Sequence, residues 1–208
     1  MPKVILFDFD GPLADSLRRH IEFCLRMNEK YGGQLVLPEA SDIESWRKLV
    51  GFPMIKFLTN LGFSTEQAQI IHDDDYLREF GKKRKPVPLY PGAERLIRFL
   101  KNRGKQLGIV SLNHRYNILA TLGPLIDQFG VIYSYNEFTK KPPALLSAVQ
   151  FFGIEPTESV YIADALGDYQ AACAVKMPFI GTSYGWQITG QETEFTSAAS
   201  PGELELML

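Results

Sequence analysis

Two aspartates near the amino terminus have the type and spacing of reactive groups. Asp8 and Asp10 directly follow the apolar run 4–7, whose composition predicts a buried parallel strand. Because side chains alternate along a strand, both carboxylates share one face, and Gly11 lets the chain turn away. Two carboxylates this close need a cation, a shared proton, or both. The alternative interpretation is a strand that ends in turn-forming aspartates.

Other polar side chains follow further apolar runs. Ser111 and Asp164 come directly after such runs, Asp168 lies four residues beyond Asp164, and Lys140 follows a third run. A carboxylate that attacks phosphorus needs a hard cation and a lysine to offset the substrate's charge, and oxygen-only ligands favour Mg²⁺ over zinc. Taken singly, these residues also suit turns, a helix N-cap and solvated surface. Their convergence at one edge of a sheet is the functional signal.

The elements that position these residues follow from the hydrophobic pattern. The predicted strands are 4–7, 106–110, 131–133, 160–163 and 179–181, and the predicted helices of the second half lie near 92–103, 114–122, 143–152 and 168–176. Alternating strands and helices indicate a parallel sheet. The predicted fold class is therefore α/β, a doubly wound Rossmann-like parallel sheet with an inserted α-helical cap domain.

The insertion is the segment 16–86, in which no strand is predicted. A helix capped by Asp15 or Ser16 is expected to run to about Lys30. Two capping-box spacings mark later helix starts, Ser41 with Glu44 and Ser64 with Gln67. The predicted domains are thus a core of residues 1–15 and 87–208 and a helical cap of residues 16–86.

Composition narrows the possible classes of protein. The chain has 208 residues and a formal net charge of -2, which provides no basic field for nucleic acid, and the basic run 82–85 is interpreted as a solvated boundary. Cys24 and Cys173 lie in apolar helical patterns and are predicted to be buried thiols of a reducing compartment. No signal segment or long apolar stretch is present, so a cytoplasmic protein without membrane contact is expected.

Four segments, in this order, resemble the motifs of the haloacid dehalogenase-like superfamily. They are residues 8–16 (DFDGPLADS), 107–111 (LGIVS), 140–143 (KKPP) and 164–168 (DALGD). Within that superfamily the chain is similar to the phosphoglycolate-phosphatase-like members, which carry a helical cap after the first motif. The resemblance spans the whole chain and is least specific in the cap.

The resemblance implies a role for each matching residue. Asp8 would be the nucleophile, and Asp10 the acid that protonates the leaving oxygen and later the base that deprotonates water. Ser111 and Lys140 would bind the phosphoryl group. Mg²⁺ would be held by Asp8, the backbone carbonyl of Asp10, and Asp164, with Asp168 acting through water or as an anchor.

Substrate binding is assigned to three further residues. Gly11 and Asn113 lie beside the predicted phosphate site, although Asn113 also suits a helix cap. Arg47 of the cap could clamp a carboxylate or a second phosphate, while the alternative is an arginine on a solvated helix face. The expected partner is a small phosphorylated metabolite, and the protein is expected to be a monomer or a homodimer.

Two departures from the family pattern bear on this interpretation. Pro12 replaces the usual threonine, removing an N–H and fixing a turn. The third motif contains two lysines, of which the register of Leu145 and Leu146 favours Lys140, with Lys141 in reserve. The leading functional prediction is a Mg²⁺-dependent phosphatase for a small phosphomonoester such as phosphoglycolate. A sugar-phosphate mutase and a non-catalytic phosphate-binding protein are the alternatives.

Overall fold

The chain divides into two compact units in the computed structural model, which describes residues 2–51, 53–81 and 85–208. The first, here called the core unit, is Met1–Asp15 with Lys85–Leu208, and the second, the helical unit, is Ser16–Arg84. Residues 82–84 of the basic run lie outside the described residues. The assignment of the two units as core and cap domains stays a prediction.

The core unit is built on a parallel sheet. Its strands are β1 (Val4–Phe7), β2 (Gln106–Val110), β3 (Val131–Tyr133), β4 (Ser159–Ala163), β5 (Phe179–Thr182) and β6 (Thr196–Ala198). Their order across the sheet is β3-β2-β1-β4-β5-β6, and every neighbouring pair is parallel. The predicted α/β fold class is confirmed. Strand β6 was not predicted because Thr-Ser-Ala carries no apolar run.

Helices account for most of the remaining described residues. In the helical unit these are α1 (Leu17–Lys30), α2 (Ile43–Leu49), α3 (Met54–Leu61), α4 (Thr65–Ile70), a π-helical turn (Ile71–Tyr76) and α5 (Leu77–Phe80). In the core unit they are α6 (Ala93–Asn102), α7 (Arg115–Leu122), α8 (Lys141–Phe152), α9 (Leu166–Ala174) and α10 (Pro201–Met207), with short 3₁₀ turns at Gly123–Gln128 and Pro156–Glu158.

Both faces of the sheet are covered, which explains why β1 is apolar along its whole length. On β1, Ile5 and Phe7 join a buried cluster that includes residues of α6, α7 and α10. Val4 and Leu6 point the other way, into a cluster with residues of α8 and α9. A strand buried on two faces reads as a continuous hydrophobic run rather than an alternating one. Most polar side chains of the sheet therefore lie at its edges and at the strand ends.

The helical unit agrees with most of the predicted helix signals. Helix α1 ends at Lys30 with Ser16 as its N-cap, and Ser64 with Gln67 forms the predicted capping box. The predicted box at Ser41 is wrong, because Asp42 is the N-cap of α2 and its side chain accepts a hydrogen bond from the Ser45 N–H. None of the described residues between 16 and 81 lies in a strand.

The two cysteines differ in environment. Cys24 is buried, as predicted, whereas Cys173 is exposed, so the prediction of a buried thiol there is wrong. Its neighbours Ala171 and Ala172 supply the packed face of α9, and Cys173 falls on the outward side. In the described part of the chain, no helix has the length and apolar character needed to span a bilayer. The cytoplasmic location and the oligomeric state stay predictions.

Candidate active site

Asp8 lies directly beyond the carboxyl end of β1. Its backbone N–H donates to the Ile162 carbonyl at 2.8 Å, which extends the pairing of β1 with β4 by one residue. The carboxylate is buried, and its Oδ1 accepts a hydrogen bond from the Phe9 N–H at 2.7 Å. Asp8 is therefore held at the central strand of the sheet with little rotational freedom.

Two further carboxylates meet Asp8 at this edge. Asp164 follows β4, the neighbour of β1, and Asp168 lies in the first turn of α9. One carboxylate oxygen from each of the three residues can be chosen so that all lie within 4.8 Å of one another. All three side chains are buried, and Asp164 accepts a hydrogen bond from the Trp186 N–H. The predicted convergence of these aspartates is thus present in the fold.

A lysine lies between two of these carboxylates, and it is Lys141. Its Nζ is 3.0 Å from Asp8 Oδ1 and 2.9 Å from Asp168 Oδ1, and it donates to the Tyr161 hydroxyl at 2.6 Å. Tyr161 in turn donates to the Val110 carbonyl at 2.9 Å. Lys141 is thus anchored by two charges and by a hydroxyl that is itself tied to the sheet.

Lys140, the residue favoured from the sequence, is exposed and is the extended N-cap residue of α8. The choice of Lys140 for the position beside Asp8 is corrected to Lys141. Helix α8 begins at Lys141, so the two neighbouring side chains leave the backbone in different directions. The signal that identifies Lys141 in the sequence is the lysine-proline pair that it forms with Pro142.

The pKa values of Asp164, Asp168 and Lys141 are shifted first by burial and then by the charges that lie close together here. Burial raises the pKa of Asp164 well above its ordinary range, and the neighbouring charge of Asp8 adds to this in spite of the hydrogen bond from Trp186. Burial raises the pKa of Asp168 to about 6, although Lys141 acts in the opposite direction. Burial lowers the pKa of Lys141, but Asp168 and Asp8 outweigh it and hold the pKa above its usual value. Lys141 is thus a cation, and the surrounding field would stabilise a second one.

Asp10, Ser111 and Asn113 form a neighbouring group at the ends of β1 and β2. Asn113 Nδ2 donates to Asp10 Oδ2 at 2.9 Å, and Ser111 Oγ accepts from the Asn113 N–H at 3.2 Å. The Ser111 N–H donates to the Tyr133 carbonyl at 3.0 Å. Asn113 therefore contacts a predicted catalytic side chain directly, and whether it also contacts substrate stays a prediction.

Gly11 is required by the backbone turn that the sequence predicts and also by a close contact with Asp164 that it does not. Its φ is +93°, and a Cβ at this position would overlap the carboxylate of Asp164. A glycine is needed here both for the left-handed backbone and for the close approach of the two loops. Gly185 also packs against Asp164 so closely that a Cβ would collide with it. The substrate-binding role of Gly11 stays a prediction.

Pro12 is accommodated without loss of backbone pairing. The hydrogen bonds that hold this turn are donated by the backbone N–H groups of Gly11, Leu13 and Ala14. None of them needs an N–H at position 12. The Pro12 carbonyl accepts a hydrogen bond from the Tyr184 hydroxyl at 2.9 Å. The substitution therefore stiffens this turn without removing any of these hydrogen bonds.

Sequence reasoning missed several residues of this site. Tyr161 carries its hydroxyl in a mostly apolar strand, and Trp186 contributes a backbone N–H, which no sequence pattern reveals. Arg47 lies on α2 of the helical unit, with its Nη1 3.7 Å from Glu44 Oε2. A role for Arg47 in substrate binding stays a prediction.

The fold and this site define a doubly wound α/β protein in which buried carboxylates gather at the ends of the parallel strands. The chain belongs to the haloacid dehalogenase-like hydrolase family, which it matches over residues 5–182. The predicted membership of this superfamily is therefore confirmed.

The chain is also similar to individual proteins and to solved structures. The chain is 30% identical to a phosphoglycolate phosphatase from Nitrosococcus oceani, over 89% of this chain and 85% of the relative. A solved structure described as a putative phosphoglycolate phosphatase from Lactobacillus plantarum covers all of both chains with a TM-score of 0.75 and 21% identity. CbbY from Rhodobacter sphaeroides, solved with phosphate, also covers both chains fully, with a TM-score of 0.67 and 19% identity. At these identities the two structures establish the shared fold.

Proposed function

We propose that this hydrolase is a Mg²⁺-dependent phosphatase that cleaves a small phosphomonoester through an aspartyl-phosphate on Asp8. The enzyme class, a phosphoric monoester hydrolase, rests on family membership and on the phosphoglycolate phosphatase from N. oceani. Phosphoglycolate is the favoured substrate for the same reason. The observation that carries the proposal is the buried Asp8 carboxylate with Lys141 3.0 Å away.

The donor set fits a magnesium ion. Asp8, Asp164 and Asp168 offer only oxygen ligands, and they crowd negative charge that Lys141 offsets in part. Burial, with the nearby charge of Asp8 adding to it, raises the pKa of Asp164, which favours a cation at this site. Asp8, Asp164 and the backbone carbonyl of Asp10 would hold the ion, with Asp168 as an additional anchor. Bound there, Mg²⁺ would neutralise charge on the transferring phosphoryl group.

The chain's own residues would carry the chemistry. The Asp8 carboxylate attacks phosphorus, the bond to the ester oxygen breaks, and that oxygen keeps the electron pair and takes a proton from Asp10. Asp10 then accepts a proton from water as the water oxygen attacks phosphorus, which releases Asp8. Lys141 and Ser111 would bind the phosphoryl oxygens throughout.

Phosphate release from a panel of esters tests this function. The panel contains phosphoglycolate, sugar phosphates and p-nitrophenyl phosphate, each assayed with Mg²⁺ and with chelator. Asp8→Asn keeps the size of the side chain but removes the nucleophile, and the exposed Asp127→Asn is the matched control. We expect release that requires Mg²⁺, survives in the control and disappears in Asp8→Asn. Retained turnover in Asp8→Asn contradicts the aspartyl-phosphate, and no release from any ester contradicts the phosphatase.

A further inference from the structure

A chain of two side-chain amides leads from Asp10 into helix α7. Asn113 Nδ2 donates to Asp10 Oδ2 at 2.9 Å, and Asn117 Nδ2 donates to Asn113 Oδ1 at 3.2 Å. Asn117 lies in the first turn of α7 and is 8% exposed. It was not singled out from the sequence, where it resembles an ordinary polar residue of an amphipathic helix.

The direction of both amides is determined by one backbone group. The His114 N–H, which can only donate, contacts the Asn113 side chain at 2.7 Å, so the contacted atom must be the oxygen. The NH₂ group of Asn113 must then face Asp10. Asn117 must likewise present its NH₂ group to Asn113, because an oxygen there would face another oxygen. The side-chain NH₂ groups of Asn117 and Asn113 therefore both point along this path toward the Asp10 carboxylate.

The backbone of Asn113 is held as firmly as its side chain. Its N–H donates to Ser111 Oγ at 3.2 Å, and its carbonyl accepts from the Tyr135 N–H at 3.0 Å. The Asn117 N–H donates to the His114 carbonyl at 3.0 Å. The Asp10 carboxylate is thus supported by a side chain with little freedom of its own.

Asn117 also has a feature that packing does not explain. Its Oδ1 is buried and makes no hydrogen bond to any described residue. A buried acceptor in this condition is unfavourable, so packing alone gives no reason to keep an amide at this buried position. The NH₂ group of Asn117 orients Asn113, and this contact accounts for an amide at position 117.

We propose that Asn113 and Asn117 are positioning residues for acid-base catalysis, with Asn113 holding the Asp10 carboxyl toward the leaving oxygen and Asn117 fixing the Asn113 amide. The inference rests on the proposed function, in which Asp10 delivers a proton as the bond between phosphorus and the ester oxygen breaks. A small rotation of Asp10 would remove that proton delivery without affecting attack by Asp8.

Leaving-group dependence separates this role from a structural one. An alkoxide leaves only with a proton, whereas p-nitrophenolate is a stable anion that leaves without one. The ratio kcat/KM reports the first phosphoryl transfer, so later hydrolysis of the aspartyl-phosphate does not enter. The experiment compares kcat/KM for phosphoglycolate and p-nitrophenyl phosphate in Asn117→Leu, Asn117→Ala and Asn113→Ala. Asn102→Leu, on the exposed end of α6, is the matched control.

We expect kcat/KM for phosphoglycolate to fall about 100-fold in Asn113→Ala and about tenfold in the Asn117 variants, within the range that acid-base catalysis supplies. For p-nitrophenyl phosphate the fall should be no more than about twofold, as in the control for both substrates. Equal losses for both esters, or a rise in KM alone for Asn113→Ala, overturn the inference, because they indicate packing or direct substrate binding.

The failure of this inference is distinguishable from failure of the proposed function. If the wild type releases phosphate from both esters and the variants keep its ratio of kcat/KM values, the phosphatase stands and the positioning role is overturned. If the wild type cleaves neither ester, both are overturned. A crystal structure of Asn113→Ala gives a second readout, since a carboxyl of Asp10 that keeps its orientation also contradicts the inference.

Discussion

Removing the charge of Lys141 should lower the stability and the catalytic rate far more than removing the charge of its neighbour Lys140. Lys141 Nζ lies between Asp8 and Asp168, with its side chain 11% exposed, whereas Lys140 is exposed. Lys141→Met keeps most of the aliphatic stem and removes only the ammonium group. Lys140→Met is the same substitution one residue away, and it serves as the matched control.

The expected loss of stability in Lys141→Met follows from the two ion pairs of its ammonium group. At separations of 3.0 and 2.9 Å, an effective dielectric constant of about 20 corresponds to roughly 5.5 kcal/mol of attraction at each contact before desolvation. Desolvation of the ammonium cancels part of this, so loss of the charge should cost about 3–5 kcal/mol of unfolding free energy. In a chain of this size that corresponds to a fall in Tm of about 10 °C. The rate should fall about 100-fold to 1,000-fold, as for loss of one donor to the transition state.

The assay measures kcat with Mg²⁺ and Tm in chelator, so that a metal ion does not mask the uncompensated carboxylates. Lys140→Met should change the rate by about twofold or less. Similar losses in the two variants, or a wild-type rate and Tm in Lys141→Met, would refute the assignment of Lys141 to this site.

Three further predictions follow from named contacts. Gly11→Ala should abolish activity, because its Cβ displaces Asp164, whereas Gly104→Ala has a positive φ with open space around it and should lose only about 1–2 kcal/mol of stability with normal turnover; equal turnover in the two variants would contradict the packing argument. Tyr161→Phe should lower the unfolding free energy in urea by about 1–3 kcal/mol, since it removes the hydroxyl between Lys141 and the Val110 carbonyl, while Tyr135→Phe on the surface should not. In the helical unit, burial raises the pKa of Asp75, but hydrogen bonds from Lys30 and Tyr31 and the charges of Lys30 and Arg78 outweigh it and hold the pKa below its usual value. Asp75→Asn should therefore cost about 2 kcal/mol of unfolding free energy near neutral pH. Because the pKa is lowered in the fold, this contribution begins to be lost as the pH falls below about 4, near the pKa of the unfolded chain, and is gone only below the lower pKa of the folded state. In urea titrations, a difference from wild type that is as large at pH 3 as at pH 7 would contradict this.

Much of the fold could be predicted because its signals are local. The strands of the core are short apolar runs, and a strand covered on both faces keeps that pattern wherever it lies in the sheet. The capping box at Ser64 was predictable for the same reason, since its partners are three residues apart. Strand β6 was missed because Thr196–Ala198 depends on pairing with β5 rather than on its own composition.

The sequence by itself determined the doubly wound parallel sheet and the aspartates at its strand ends, as well as the family. These follow from periodicity and from motifs that are contiguous in the chain. The tertiary structure decided between the two lysines, for which the sequence signals conflict, because the start of α8 separates their side-chain directions and brings Lys141 to Asp8. It also decided the contacts of Asp164 with Gly11, Gly185 and Trp186, and the amide chain from Asp10 to Asn117. Such contacts join residues far apart in the chain, so their geometry exists only once the sheet has brought the strand ends together.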